Sequence, residues 1–479
     1  MIKNQTNSAD WSALIPVLPD SGPRTAALYA EIRRLIETGA VPPRGKLPPT
    51  RDLARRLHIS RTSVVAAFEM LIADGFAEAK VGSGTYVARE VPLLRRSPAD
   101  VTSSSGPTAA LPGTLGVGVS DARTMRIFRS LLSRHLARPG PEHFHYGDPR
   151  GGTDFREAIA SYLRSARGVR CSAGQIIITT GTQQGLDLVI RAVLREDDAV
   201  WMENPCYPMA RTAFAGAGIR IVAVPVDEEG IDVACGERLA PDARAAYVTP
   251  SHQFPLGVTM TMRRRLALID WAKRNDAWIV EDDYDSEFRF AGPPLTALQG
   301  IDDAGRVIYL GTFSKVLFPG LRIGYAVVPE PLLDKIVEIR RRSDRHPPTL
   351  AEAALTDLIR EGHFAAHLRR ARRRAQSARD ELVCGLRSNP QAGIKVAAPD
   401  QGLHLIAELP DGISDMDAVR EAKAAGLGAR SLSSMYLSPP VRQGLVIGFS
   451  GFTGEELRLA ASRFTALATD RTANTPDYP

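Results

Sequence analysis

The sequence predicts an α/β protein in two folded parts. A small winged helix-turn-helix comes first, then a linker, then a large body with a mainly parallel central sheet, helices on both faces and a smaller C-terminal lobe. Three observations carry this. Two short helical patterns separated by a tight turn precede a glycine-containing hairpin near the N-terminus. A Ser/Thr/Pro/Gly-rich stretch follows. From about residue 119, short apolar runs alternate with helical stretches, as expected of strands buried on both faces.

Composition narrows the class before any motif is read. A chain of 479 residues with 44% hydrophobic and 6% aromatic residues has length for two or three domains and a sizeable core. The polar start and the lack of a long apolar run point to a cytoplasmic protein without a membrane partner. Cys171, Cys206, Cys235 and Cys384 are dispersed without Cys-x-x-Cys spacing, so no metal site and no disulfide framework is expected. The net charge of +6 is carried mostly by arginine, which suits phosphate recognition.

Taken in order, the head spans 21–89. Leu28, Ile32, Leu35 and Ile36 have helical spacing that stops at Gly39. Lys46 to Leu57, the turn at His58-Ile59-Ser60 and Arg61 to Leu71 read as helix, turn, helix, with Ser60 as N-cap. Phe76–Lys80 and Thr85–Ala88 flank Val81-Gly82-Ser83-Gly84, whose Gly82 and Gly84 permit a tight wing. The second helix would enter the major groove of double-stranded DNA with Ser60, Arg61, Thr62 and Ser63 at its tip, while Arg51 and the wing clamp the backbone. A winged fold used for dimerisation is the competing reading. Residues 90–118 read as a flexible linker.

The body, 119–470 with the small lobe at about 331–470, has buried-strand candidates at 175–179, 199–202, 220–224, 246–248, 278–280, 307–309 and 323–328. At the end of one of them, Gly311-Thr312-Phe313-Ser314-Lys315 is followed by Pro319-Gly320-Leu321-Arg322. A lysine there becomes a nucleophile if burial and a neighbouring cation, here Arg322, depress its pKa; Thr312 and Arg322 are phosphate donors. Gly181, Thr182 and Gln183 open a helix after a strand and form an anion site. Alternation puts Asp282 and Tyr284 on one side of their strand end, where a carboxylate can pair with a ring nitrogen and a phenol with a ring oxygen. Tyr207 is placed to stack on such a ring, or to serve as ordinary core.

These residues resemble a known arrangement. Ser314-Lys315-x-x-x-Pro319-Gly320-x-Arg322-x-Gly324 matches the cofactor-lysine signature of fold-type I aminotransferases, which implies pyridoxal 5'-phosphate in a Schiff base with Lys315. Tyr146-Gly147-Asp148 resembles the segment whose tyrosine reaches the phosphate of the neighbouring subunit, implying a homodimer. Leu47-Pro48-x-x-Arg51-x-Leu53-Ala54, Ser60-Arg61-x-Ser63-Val64 and Gly82-x-Gly84-Thr85 resemble GntR-family regulators. The whole is similar to the MocR subfamily, whose wording Thr249-Pro250-Ser251-His252-Gln253-Phe254-Pro255 and Glu281-Asp282-Asp283-Tyr284-Asp285 shares.

Two departures from aminotransferases stand out. Phe254 occupies the place of the asparagine that bonds the ring oxygen, and Val446 that of the arginine that grips a substrate carboxylate. Arg211 and Arg430 are the candidate replacements for effector binding. The expected function is a pyridoxal phosphate-dependent transcriptional regulator responding to an amino compound or to the cofactor itself. The alternative is an aminotransferase with an autoregulatory DNA-binding head. A further expectation rests on charge alone. Eleven arginines stand against four acids between Ile339 and Arg379, and Arg369, Arg370, Arg372, Arg373 and Arg374 are expected to form a body surface that touches DNA phosphates, with a solvated helix or a subunit-contact face pairing with acids elsewhere as the competing reading.

Overall fold

Residues 1–108 and 109–479 form separate units in the computed structural model, which describes residues 16, 23–80, 82–91 and 109–473, with side chains as far as 469. Val81 of the expected wing and 92–108 of the expected linker lie outside the described residues.

In the first unit, α1 (Arg24–Glu37) and α3 (Arg61–Ala73) pack together, with α2 (Thr50–Leu57) across α3. Leu28, Ile32, Leu53, Val64, Phe68 and Leu71 fill the space between them. His58 closes α2 in the left-handed region at φ 52°, which turns the chain in two residues toward Ser60. The wing is β1 (Ala77–Lys80) against β2 (Gly84–Val87), antiparallel, with Lys80 opposite Gly84.

The second unit is built on an eight-stranded sheet: β3 (Ile176–Thr179), β4 (Ala199–Asn204), β5 (Arg220–Asp227), β6 (Gly230–Ile231), β7 (Ala245–Val248), β8 (Trp278–Asp283), β9 (Val307–Thr312) and β10 (Gly324–Val327). Their spatial order is β3-β10-β9-β8-β7-β4-β5-β6. The run from β9 to β5 is parallel, while β10 and β6 are antiparallel to their neighbours. Both faces are covered: one core contains Ile176, Tyr309 and Phe313, and others contain Ile177, Met202 and Leu310, or Trp201 and Ile279. Alternate residues of one strand thus enter different cores, which is why these strands read as unbroken apolar runs. The smaller sheet is antiparallel: β11 (Lys395–Val396), β12 (His404–Glu408), β13 (Arg430–Ser431) and β14 (Gly444–Gly448), in the order β11-β12-β14-β13.

Two expectations need correction. The last ten residues of the expected linker, 109–118, lie on the body: Gly428 N–H donates to Pro112 O at 2.7 Å and Gly448 N–H to Gly113 O at 2.8 Å. Their glycines serve close approach rather than flexibility, since a Cβ on Gly118 would stand 2.8 Å from Phe318 Cα. The arginine-rich helix His363–Leu386 is also not the free basic face expected of it. Arg370 bonds Asp121 Oδ2 at 2.8 Å, Arg372 donates to Glu287 O at 2.9 Å, and Arg374 donates to Val119 O. Among the five, Arg369 and Arg373 alone remain exposed without an ion pair among the described residues.

Arg167 shows the same use of guanidinium as internal staple. It is buried, with Nε 2.9 Å from Asp283 Oδ2, Nη2 2.7 Å from Ser251 Oγ and Nη1 2.5 Å from Leu295 O. Removing one partner of a buried pair strands the other, at about 3–5 kcal/mol. Arg167→Leu is expected to lower the urea midpoint of the body transition strongly, followed by tryptophan fluorescence; a wild-type midpoint would contradict it.

Candidate functional site

The centre of the site is the end of β8. Glu281, Asp282 and Asp283 are all buried, so the acidic run is not a solvated loop. Glu281 accepts from the backbone N–H groups of Leu298 (2.8 Å) and Gln299 (2.9 Å). Asp283 accepts from Arg167 and from Tyr309 OH at 2.6 Å. Asp282 points elsewhere: its Oδ2 accepts from Tyr247 OH at 2.6 Å, and its Oδ1 is buried without a partner among the described residues. Burial pushes this carboxyl up to about 7, against the pull of the Tyr247 hydrogen bond and of Lys315.

Asp282 lines a cavity of about 280 Å³ together with Lys315, Thr182, Gln183, Tyr207, Tyr284, Thr312 and Arg322. Lys315 sits in the short helix Phe313–Val316, capped by Thr312, whose Oγ1 accepts from Ser314 N–H at 3.1 Å. Its ammonium pKa is lowered chiefly by burial, opposed by Asp285 and Asp282. The cation that adds to the lowering is Arg430, not Arg322 as the sequence suggested. Arg322 is at φ 53°. Its guanidinium lies 3.5 Å from where a Cβ on Gly181 would be. Gly181, at φ +95°, precedes the helix Thr182–Val193, so open N–H groups and a guanidinium face the same space. The cavity can hold a group with a dianion at one end and a ring nitrogen that welcomes a proton at the other.

Tyr284 OH lies 3.0 Å from His252 O and 3.1 Å from His252 Nδ1. Tyr207 stands edge-on to Phe254, ring centroids 5.6 Å apart. Tyr146 is 74% exposed and does not line the cavity of its own chain; its ring packs against His346 with Arg345 above it. Neither Arg211 nor Arg430 lines the cavity among the described residues. Sequence reasoning missed Tyr247, Ser314, His404, Leu115 and Gly116, all of which do. Ser314 lay inside the lysine motif; the others had no local signal.

In the first unit, Ser60 Oγ accepts from Ser63 N–H at 3.1 Å and lies 2.7 Å from Thr62 Oγ1 and 2.8 Å from Ser63 Oγ. Ser60, Arg61 and Thr62 are exposed at the start of α3, and Arg51 is exposed in the first turn of α2. Gly82 and Gly84 take φ of +74° and +111°.

Residues 24–87 match the family "Bacterial regulatory proteins, gntR family" and residues 115–462 match "Aminotransferase class I and II". The probable rhizopine catabolism regulatory protein MocR of Rhizobium meliloti is 37% identical over 91% of this chain and 92% of its own length. The chain belongs to the MocR subfamily of GntR-type regulators. Another relative, the pyridoxine biosynthesis transcriptional regulator PdxR of Corynebacterium glutamicum, is 32% identical over 93% of this chain and 96% of its own. Among solved structures, the kynurenine aminotransferase of Pyrococcus horikoshii aligns with a TM-score of 0.69 at 27% identity, covering 76% of this chain and 92% of the other. LysN of Thermus thermophilus, an α-aminoadipate aminotransferase, gives 0.69 at 28%, covering 76% and 93%.

The cofactor of this MocR-type chain is pyridoxal phosphate. The cavity fits it, because the unpartnered Asp282 Oδ1 and the N–H groups after Gly181 meet the two poles of such a molecule. When bound, it supplies a carbonyl carbon open to amines and an electron-poor ring. A charged hydrogen bond is worth about 1.5–3 kcal/mol. Asp282→Ala is therefore expected to weaken cofactor binding about ten- to a hundredfold, measured by equilibrium dialysis; unchanged affinity would remove Asp282 from the site.

Proposed function

We propose that this chain is a dimeric, cytoplasmic transcriptional regulator that senses an amino compound, or pyridoxal phosphate itself, through aldimine chemistry at Lys315. The observation that carries the reading is the meeting, in one cavity, of a buried lysine, an unpartnered buried carboxylate oxygen and an anion cradle. In it, Lys315 Nζ holds the carbonyl carbon and Asp282 the ring nitrogen. Tyr284 bonds the ring oxygen and Tyr207 stacks. Gly181, Thr182, Gln183, Thr312 and Arg322 hold the phosphate, joined by Tyr146 of a second copy. The bound cofactor would supply a carbonyl carbon for which an effector amine and Lys315 Nζ would compete.

Arg430 has structural support as an effector residue. It is the cross-strand neighbour of Val446, where an aminotransferase places its carboxylate clamp, so a guanidinium is offered from the next strand. Arg211, half-buried after Tyr207, is the second candidate. The head binds duplex DNA through Arg51, Ser60, Arg61, Thr62, Ser63 and the wing glycines Gly82 and Gly84, since short donors at a helix start reach phosphates and base edges.

The second reading, an aminotransferase with an autoregulatory head, is favoured by one relative: the aromatic-amino-acid aminotransferase 1 of Thermococcus litoralis is 30% identical over 81% of this chain. Sustained conversion of added amino donors, followed by their keto products, would establish that reading; a stable absorbance shift without product supports the sensor. Lys315→Ala is expected to lose the visible cofactor band and borohydride trapping, and a yellow, reducible mutant would sink the assignment. Arg61→Ala is expected to lose DNA affinity and, if it reads a base, about 1–3 kcal/mol of discrimination at one position. Fluorescence anisotropy across operator variants decides this.

A further inference from the structure

Set aside the groups already engaged in the cavity. Tyr247 OH is committed to Asp282, and Thr249 Oγ1 donates to Glu203 at 2.7 Å while accepting from Phe254 N–H at 3.0 Å. With the cofactor residues and Ser314 also removed, the wall left for an effector is Leu115, Gly116, Phe254, Pro319, Leu403 and His404. Among the described residues, His404 is the one polar side chain in that wall, so selectivity for a polar effector falls on it.

The ring of His404 is held in one protonation pattern. It projects from β12, and its Nε2 lies 3.0 Å from Pro255 O, a group that only accepts; Nε2 therefore carries the hydrogen. Burial and the neighbouring His252 keep the imidazole neutral, lowering its pKa to about 4. Nδ1 is left with a lone pair, and no described residue donates to it. The ring is wedged between Phe254, with centroids 5.1 Å apart, and His252 at 4.9 Å, and His252 is itself tied to Asp285 at 3.0 Å. The three residues bring ligand-capable atoms within 4.8 Å of one another, and His252 Nε2 is buried without a hydrogen-bond partner among the described residues. His404 also borders a second cavity of about 470 Å³.

We propose that His404 is the specificity-determining residue of the effector pocket: a fixed hydrogen-bond acceptor that selects amines carrying a second donor, a hydroxyl or an ammonium group, a few bonds from the reacting nitrogen. This rests on the cofactor-dependent sensing reading above. An effector ending in a methyl group leaves a buried acceptor unpaired, and sites built to hydrogen-bond a ligand reject analogues that lack the partner. A terminal carboxylate meets a lone pair at His404 and has to find Arg430 instead.

The test uses the cofactor-loaded full chain, titrated with pentylamine, 4-amino-1-butanol, 1,4-diaminobutane and 4-aminobutyrate and followed by the visible absorption change and by DNA-binding anisotropy. The first two have the same number of heavy atoms. Wild type is expected to bind 4-amino-1-butanol at least about tenfold tighter than pentylamine. His404→Phe should bring that ratio to near unity, and His404→Gln, which restores an acceptor, should recover part of it. An unchanged ratio in His404→Phe, or a wild-type preference for pentylamine or 4-aminobutyrate over the hydroxylated amine, overturns the proposal. If wild type shows no cofactor band, the sensing reading fails instead. A second arm then still decides the histidine: nitrogen-15 NMR of histidine-labelled, cofactor-free protein should show one neutral, Nε2-protonated ring at pH 7 that disappears in His404→Phe. An Nδ1-protonated or charged ring there refutes the acceptor role.

Discussion

Buried carboxylate at the end of β8 is the constraint on which the rest of the body depends. An ionised carboxylate taken out of water is costly unless its lone pairs are filled. Glu281 is satisfied by two backbone N–H groups, Asp283 by Arg167 and Tyr309, and Asp285 by His252 and Leu403 N–H. Asp282 is satisfied on one oxygen only. Arg167 is spent on the adjacent Asp283. The incomplete carboxylate is thus directed at a ligand by the completeness of those around it, and Lys315 and Arg322 stand across the same cavity.

What was legible in the sequence was what is local. Lys315, Thr312 and Arg322 lie in a single stretch whose spacing states the geometry, and the strands announce themselves because both of their faces are buried. The partner of Asp282 was not legible, because Tyr247 comes from the next strand, 35 residues away, and looks like one more apolar position in a buried run. Nor was the relation of Arg430 to Val446, which depends on a register between two short strands.

Composition misled in two places, for one reason. Glycine and proline in 109–118 read as flexibility, and Arg370, Arg372 and Arg374 on the helix His363–Leu386 read as a surface for phosphates. Both are instead packing devices. A Cβ on Gly113 would meet Gly428, and Gly448 and Gly451 receive Thr114 and Val117 just as closely. Arg370, Arg372 and Arg374 reach backbone or carboxylate groups that would otherwise be left short of donors. A count of residue types cannot distinguish a group that faces water from one that completes a neighbour, because the partners are distant in the chain.

The placement of 109–118 also bears on how a ligand and a DNA-binding head can be coupled. A ligand shifts an equilibrium only by as much as it binds one arrangement better than another. A freely jointed tether ending at residue 118 would carry no such preference, since nothing in the pocket would sense where it ran. Here Leu115 and Gly116 are part of the pocket wall, and a Cβ on Gly116 would stand 2.8 Å from Lys315 Nζ. The segment 109–118 therefore runs close beside the Lys315 nitrogen on which the proposed sensing rests. A ligand that displaced that nitrogen, or filled the space beside it, would act on a docked segment and not on a free tether.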